Sequence, residues 1–231
     1  MSAARVDAAT APPPITEEGL VAVAIVLSFA AGATDAFAFL QLGGIFTANM
    51  TGNLILAGLF ERPGFPVTLI AAVVAIAVFA GAVLLGFVAT RPSRPGASWA
   101  AIPLLVALGA QAAVAVLWLV APRPLGMPLT LTAIAVSAVA MAMQTVVGRR
   151  LETRSGVTTT FATGTLTALM KSISDRQRGV RLLQLLSVLM LTVGAIGGAL
   201  AVGVSPLLGA ALPILPSAAA LGIVLATRRR A

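Results

Sequence analysis

The chain is expected to be an all-α membrane protein. Its six transmembrane helices form two inverted three-helix repeats, each with a short re-entrant or broken Thr-Gly segment. Three observations predict this. The 231 residues are 59 % hydrophobic and only 10 % charged, where a soluble domain is about 25 % charged. Six apolar runs each reach the roughly 20 residues that one membrane crossing needs. Two shorter segments resemble each other and sit at matching places in the two halves.

The spans run over 20–41, 66–89, 99–121, 125–147, 180–202 and 206–226. Before them lies a polar tail, 1–19, with Pro12, Pro13 and Pro14 and without the basic start and small-residue cleavage site of a signal peptide. The first span therefore reads as an uncleaved anchor. The breaks carry helix-stopping residues: Arg62-Pro63-Gly64, Arg91-Pro92 to Pro95-Gly96, and Pro122-Arg123-Pro124. Trp99 and Trp118 are 19 residues apart, about 28 Å of helix, which suits an aromatic anchor at each interface. A membrane domain over 20–226 is thus expected between the polar tail and a basic tail at 227–231.

The short segments are Gly43 to Phe60 and Gly156 to Met170, and charge decides whether they cross. If neither does, and the N-terminus is inside, 13 of the 15 basic residues lie inside; only Arg62 and Arg123 lie outside. If both cross, the best split falls to 10 against 5. The positive-inside rule favours six spans with both termini cytoplasmic. Both segments then become re-entrant or surface-lying. The sequence leaves open whether they are helical.

Thr51-Gly52-Asn53-Leu54 aligns with Thr163-Gly164-Thr165-Leu166 at an offset of 112. Upstream, Asp35 lies opposite Gln144 at an offset of 109. Repeat one covers 20–121 and repeat two 125–226. Each has three crossings, an odd number, so the second is expected upside down relative to the first. Many secondary transporters share this architecture, with a midplane site where short or broken helices of the two halves meet. Close helix packing by small residues is the plainer account of the Thr and Gly there.

The segments GATDAFAFLQLGGIFTANMTGN and MQTVVGRRLETRSGVTTTFATGTLT carry a resemblance. Both are similar to signatures of the YoaK family of bacterial multi-pass membrane proteins, a domain of unknown function, over about 20–226. The resemblance implies six spans in the bacterial cytoplasmic (inner) membrane and carries over no catalytic or transport residue. Gln144-Thr145 stands where that family often has Gln-Asn.

Asp35 is the only acid well inside a span. Such residues face a partner, a bundle interior or water. It is a candidate protonatable, ion or solute contact; the alternatives are a helix cap or an ion pair with an Arg of the other half. Asn49 and Asn53 share a helical face if that stretch is helical, with Thr51 between them. Gln144, Thr163 and Thr165 are expected to complete a polar centre. Gln41 and Gln111 read as interfacial or packing residues. Arg149, Arg150 and Arg154, and Lys171, Arg176, Arg178 and Arg181, read as topology signals touching anionic headgroups. Gly194, Gly197 and Gly198 read as close helix packing.

The chain has no Cys, His or Tyr. That leaves no thiol or Ser-His-Asp chemistry, and neither an enzyme nor a cofactor is expected. The net charge of +8 lacks the aromatic interleaving of a nucleic-acid binder. The expected partners are the lipid bilayer, an unidentified small solute or ion, and a second copy in a homodimer. The leading expectation is a small-molecule secondary transporter. The alternatives are a passive channel and a non-transporting interaction or assembly protein.

Overall fold

A computed structural model of the protein describes residues 17–90, 98–155, 162–175 and 178–229. Most of the polar tail, the loop bearing Arg91 and Arg94, the Thr-rich stretch 156–161, Arg176 and Arg230 lie outside the described residues. So do the side chains of Arg154, Thr163, Arg178, Arg228 and Arg229.

The described residues form helices α1 Glu17–Gln41, α2 Met50–Gly58, α3 Phe65–Ala89, α4 Ser98–Val120, α5 Met127–Ser155, α6 Ala162–Ser174, α7 Arg178–Val204, α8 Pro206–Ala211 and α9 Ile214–Arg229. Six stretches are long and apolar enough to cross a membrane: 21–41, 65–89, 99–120, 127–151, 181–204 and 206–226. They match the six expected runs to within a few residues.

Three features differ from the expectation. The fifth helix runs on to Ser155 because Arg149-Arg150-Leu151-Glu152 favours helix and no proline interrupts it. The last span is two helices: Pro213 has no N–H to donate and crowds the preceding turn, and the break falls there between α8 and α9. Trp118 is 7 % exposed and is no interfacial anchor. It packs edge-on against Phe37, with ring centres 5.1 Å apart, in the largest apolar cluster.

Helices α1 and α5 are mostly buried, α3 and α7 mostly exposed, and the α4 and α8–α9 spans lie between. The crossing of α1 and α7 is the most extensive contact, followed by α3 with α5 and α4 with α5. The short helices lie on neighbours, α2 against α3 and α6 against α7. Lipid is as apolar as leucine, so close packing and hydrogen bonds, more than water exclusion, hold such helices together. Glycine makes this possible between α1 and α7. A Cβ on Gly32 would run into the Leu191 carbonyl oxygen, and one on Gly198 would come within 2.7 Å of the Ala33 oxygen.

Arg181, at the start of α7, bonds back to α6. Its Nε donates to the Ser172 carbonyl at 2.8 Å and a terminal nitrogen to the Ile173 carbonyl at 3.1 Å. These are two of the carbonyls that a helix end leaves without intrahelical donors. Arg181→Ala is expected to cost about 1 kcal/mol and to speed amide hydrogen exchange at the end of α6 while sparing α1.

Candidate functional site

The first predicted polar cluster forms where α1 gives way to α2. Gly43 and Gly44 take positive φ, 83° and 75°, a conformation that Gly adopts without steric cost. They turn the chain back toward the body of α1. Asp35 lies six residues before the end of α1, roughly 9 Å along the helix. One of its carboxylate oxygens accepts the N–H groups of Thr47 and Ala48, both at 2.7 Å, and the other accepts that of Asn49 at 3.0 Å. Helix α2 therefore starts about a turn and a half below the end of α1.

The surrounding polar groups complete this junction. Asn53, fully buried, brackets Phe46: its Nδ2 donates to the Phe46 carbonyl at 2.7 Å, and its Oδ1 accepts the Phe46 N–H at 2.9 Å. Asn49 caps α2 by accepting the Gly52 N–H at 3.1 Å. Ser137 on α5 donates to the Thr47 hydroxyl at 3.1 Å. The stretch between α1 and α2 has no helical ladder, and at membrane depth its backbone groups need partners within the protein. Asp35 and Asn53 supply those partners.

Asp35, Asn49 and Asn53 are thus brought together at this junction, and they are engaged with backbone. Thr51 is on the exposed side of α2. Gln144 is fully buried elsewhere: its Nε2 donates to Ser217 Oγ on α9 at 2.9 Å, and Ser217 donates to the Pro213 carbonyl at 2.8 Å. Thr165 is buried on α6, and Thr163 belongs to the same helix. Asn53→Leu is expected to leave both Phe46 backbone groups unpartnered, at about 1–3 kcal/mol each. The check is a fall in melting temperature of the detergent-solubilised protein.

Two features escaped the sequence reading. Gln111, in the middle of α4, is 3 % exposed, and neither amide atom has a hydrogen-bond partner among the described residues. The Gln144 Oε1 is likewise without one. A glutamine in an apolar run carries no mark of whether it faces lipid or core. The second feature is an open cleft of about 840 Å³ at one end of the bundle. Gln41, Trp118, Arg123, Thr130 and Pro206 are among its lining residues, so α1, α4, α5 and α8 all contribute. Among the described residues Arg123 is the only charged one in the lining. It stacks 3.6 Å over the Trp118 ring and donates to the Trp118 carbonyl. Among the described residues no three Asp, Glu, His or Cys converge as metal ligands.

No solved structure matches the chain. The chain is 31 % identical over 185 residues to the UPF0700 transmembrane protein YoaK of Bacillus subtilis (strain 168), covering 76 % of this chain and 81 % of that protein. Residues 23–227 match the family model described as "Protein of unknown function (DUF1275)". With six spans, a match over most of its length and a transmembrane relative, the chain is a multi-pass membrane protein belonging to the DUF1275, or YoaK-like, family.

Proposed function

We propose that the protein is a small-molecule secondary transporter of the bacterial cytoplasmic membrane, with both termini in the cytoplasm and two inverted repeats, 20–121 and 125–226. The observation that carries the reading is the pattern of helix contacts. Exchanging the halves pairs α1 with α5, α2 with α6, α3 with α7, and α4 with α8–α9. Under that exchange the α1–α7 contact becomes α5–α3, α2–α3 becomes α6–α7, and α4–α5 becomes α1 with α8 and α9. Each of these contacts is present. Burial follows the same pairing.

The close packing agrees. Gly198 and Gly194 on α7 correspond, at the offset of 112, to Gly86 and Ala82 on α3. Gly86 packs against the side chains of Val146 and Met143 of α5, and Gly198 against the Ala33 backbone of α1. An odd number of crossings per half makes the repeats inverted, the arrangement on which alternating access is built. The cleft, lined from both halves and open at one end, is the solute's entrance in this reading.

Asp35 is the proposed coupling residue, because the start of α2 hangs on its carboxylate. Protonation weakens an acceptor of three N–H groups and loosens the first re-entrant segment. Asp35→Asn retains acceptor capacity at one oxygen and removes the charge. The purified protein in liposomes is expected to show saturable solute flux that this variant abolishes with the helical content retained. Unchanged flux in a folded variant ends the coupling role. Linear, non-saturating flux replaces the carrier with a channel. An absence of flux across a broad solute panel favours an interaction protein.

A further inference from the structure

Inward of the cleft, buried polar side chains recur along two helices. On α5, Thr130 lines the cleft, and Ser137 and Gln144 follow at steps of seven. Seven residues bring a helix back to nearly the same face. On α4, Trp118 lines the cleft, and Gln111 lies seven residues deeper on its face. The two helices run antiparallel: Trp118 and Val114 cluster with Ile134, Ala107 with Ala142 and Met143, and Leu104 with Val147. Gln111 therefore lies level with residues near 139, and Gln144 roughly 7 Å further in. The third member is Ser217 of α9, a helix that packs on α4.

We propose that Gln111, Gln144 and Ser217 form a binding site for a small uncharged molecule rich in hydrogen-bonding groups, reached along Thr130 and Ser137. The unpartnered groups define the guest. Gln111 offers a donor and an acceptor, and Gln144 offers an acceptor. A hydroxyl or amide group satisfies both residues. Among the described residues a charged guest finds no opposite charge there: the charged residue of the cleft lining is Arg123, and Asp35 is engaged by three backbone N–H groups. Moving an unpaired charge to that depth is costly. Gln144 was expected at a polar centre; its partner in this site is Gln111 in place of Asp35.

The inference rests on the transport reading and names its substrate class. The test measures uptake of radiolabelled glycerol, urea and a neutral hexose into proteoliposomes, beside acetate, glutamate and choline. Uptake of at least one uncharged solute above protein-free vesicles is expected, falling at least tenfold in Gln111→Leu and only partly in Gln111→Asn. Uptake confined to charged solutes, or unchanged in Gln111→Leu, overturns the inference and leaves transport standing. Silence of the whole panel counts against the transport reading, and melting then judges the site. A lower melting temperature for Gln111→Leu shows that the amide has a bound partner; a higher one shows that it has none and overturns the site.

Discussion

Replacing Gly194 with alanine is expected to lower the melting temperature of the solubilised protein by roughly 6–12 °C. A Cβ there would run into the Phe29 carbonyl oxygen of α1 and lie 2.9 Å from the Phe29 Cα. The obstacle is backbone, so no rotamer relieves it and the helices must separate. Overpacking typically costs about 1–3 kcal/mol; a backbone obstacle puts Gly194→Ala at the upper end, about 3 kcal/mol, and 1 kcal/mol moves a chain of this size by roughly 2–4 °C. The crossing of α1 and α7 is the most extensive in the molecule, so separation spreads along both helices. Gly197 is the control. A Cβ there meets the far end of the Phe29 ring at 3.4 Å, ordinary contact, and Gly197→Ala is expected to melt within about 3 °C of the unaltered protein. Equal effects of the two substitutions would show that the crossing is looser than described.

The second large effect is at Asp35. Asp35→Ala removes the acceptor of the Thr47, Ala48 and Asn49 N–H groups together. Each unpartnered group costs about 1–3 kcal/mol. Asn49 is exposed, so the total is expected near 3–5 kcal/mol. The damage is expected to be local before it is global. Amide hydrogen exchange over residues 45–53 rises by orders of magnitude, while α4 and α9 exchange at their former rates. Asp35→Asn keeps part of the acceptor set and is expected to fall between. Uniform loss of protection throughout the bundle would mean that Asp35 supports the whole fold and not the junction.

The spans were legible in the sequence because a bilayer imposes one simple condition, about 20 apolar residues without interruption. Chain breakers then set the boundaries. The break at Pro213 was equally visible, and an apolar run that counts proline as merely non-polar passes over it. Asp35 was legible as a residue that needs partners. That those partners are backbone N–H groups 12 to 14 residues later depends on the turn at Gly43 and Gly44, which is a matter of geometry. Trp118 shows the same limit. Its spacing from Trp99 suits two interfaces, but Phe37 and Arg123 enclose it, and Phe37 comes from a helix far away in sequence. Gln111 and Gln144 are single amides in apolar runs. Their relation appears only when α4 and α5 are laid side by side in register.

The central claim, two halves of opposite orientation about a shared path, is tested most directly by thiol labelling. The chain has no cysteine, so Thr51→Cys and Thr163→Cys variants carry one reactive group each. A membrane-impermeant maleimide is applied to intact and to inverted vesicles. The inverted arrangement predicts labelling of Thr51→Cys from outside and of Thr163→Cys from the cytoplasmic side. Labelling of both positions from the same side would contradict it.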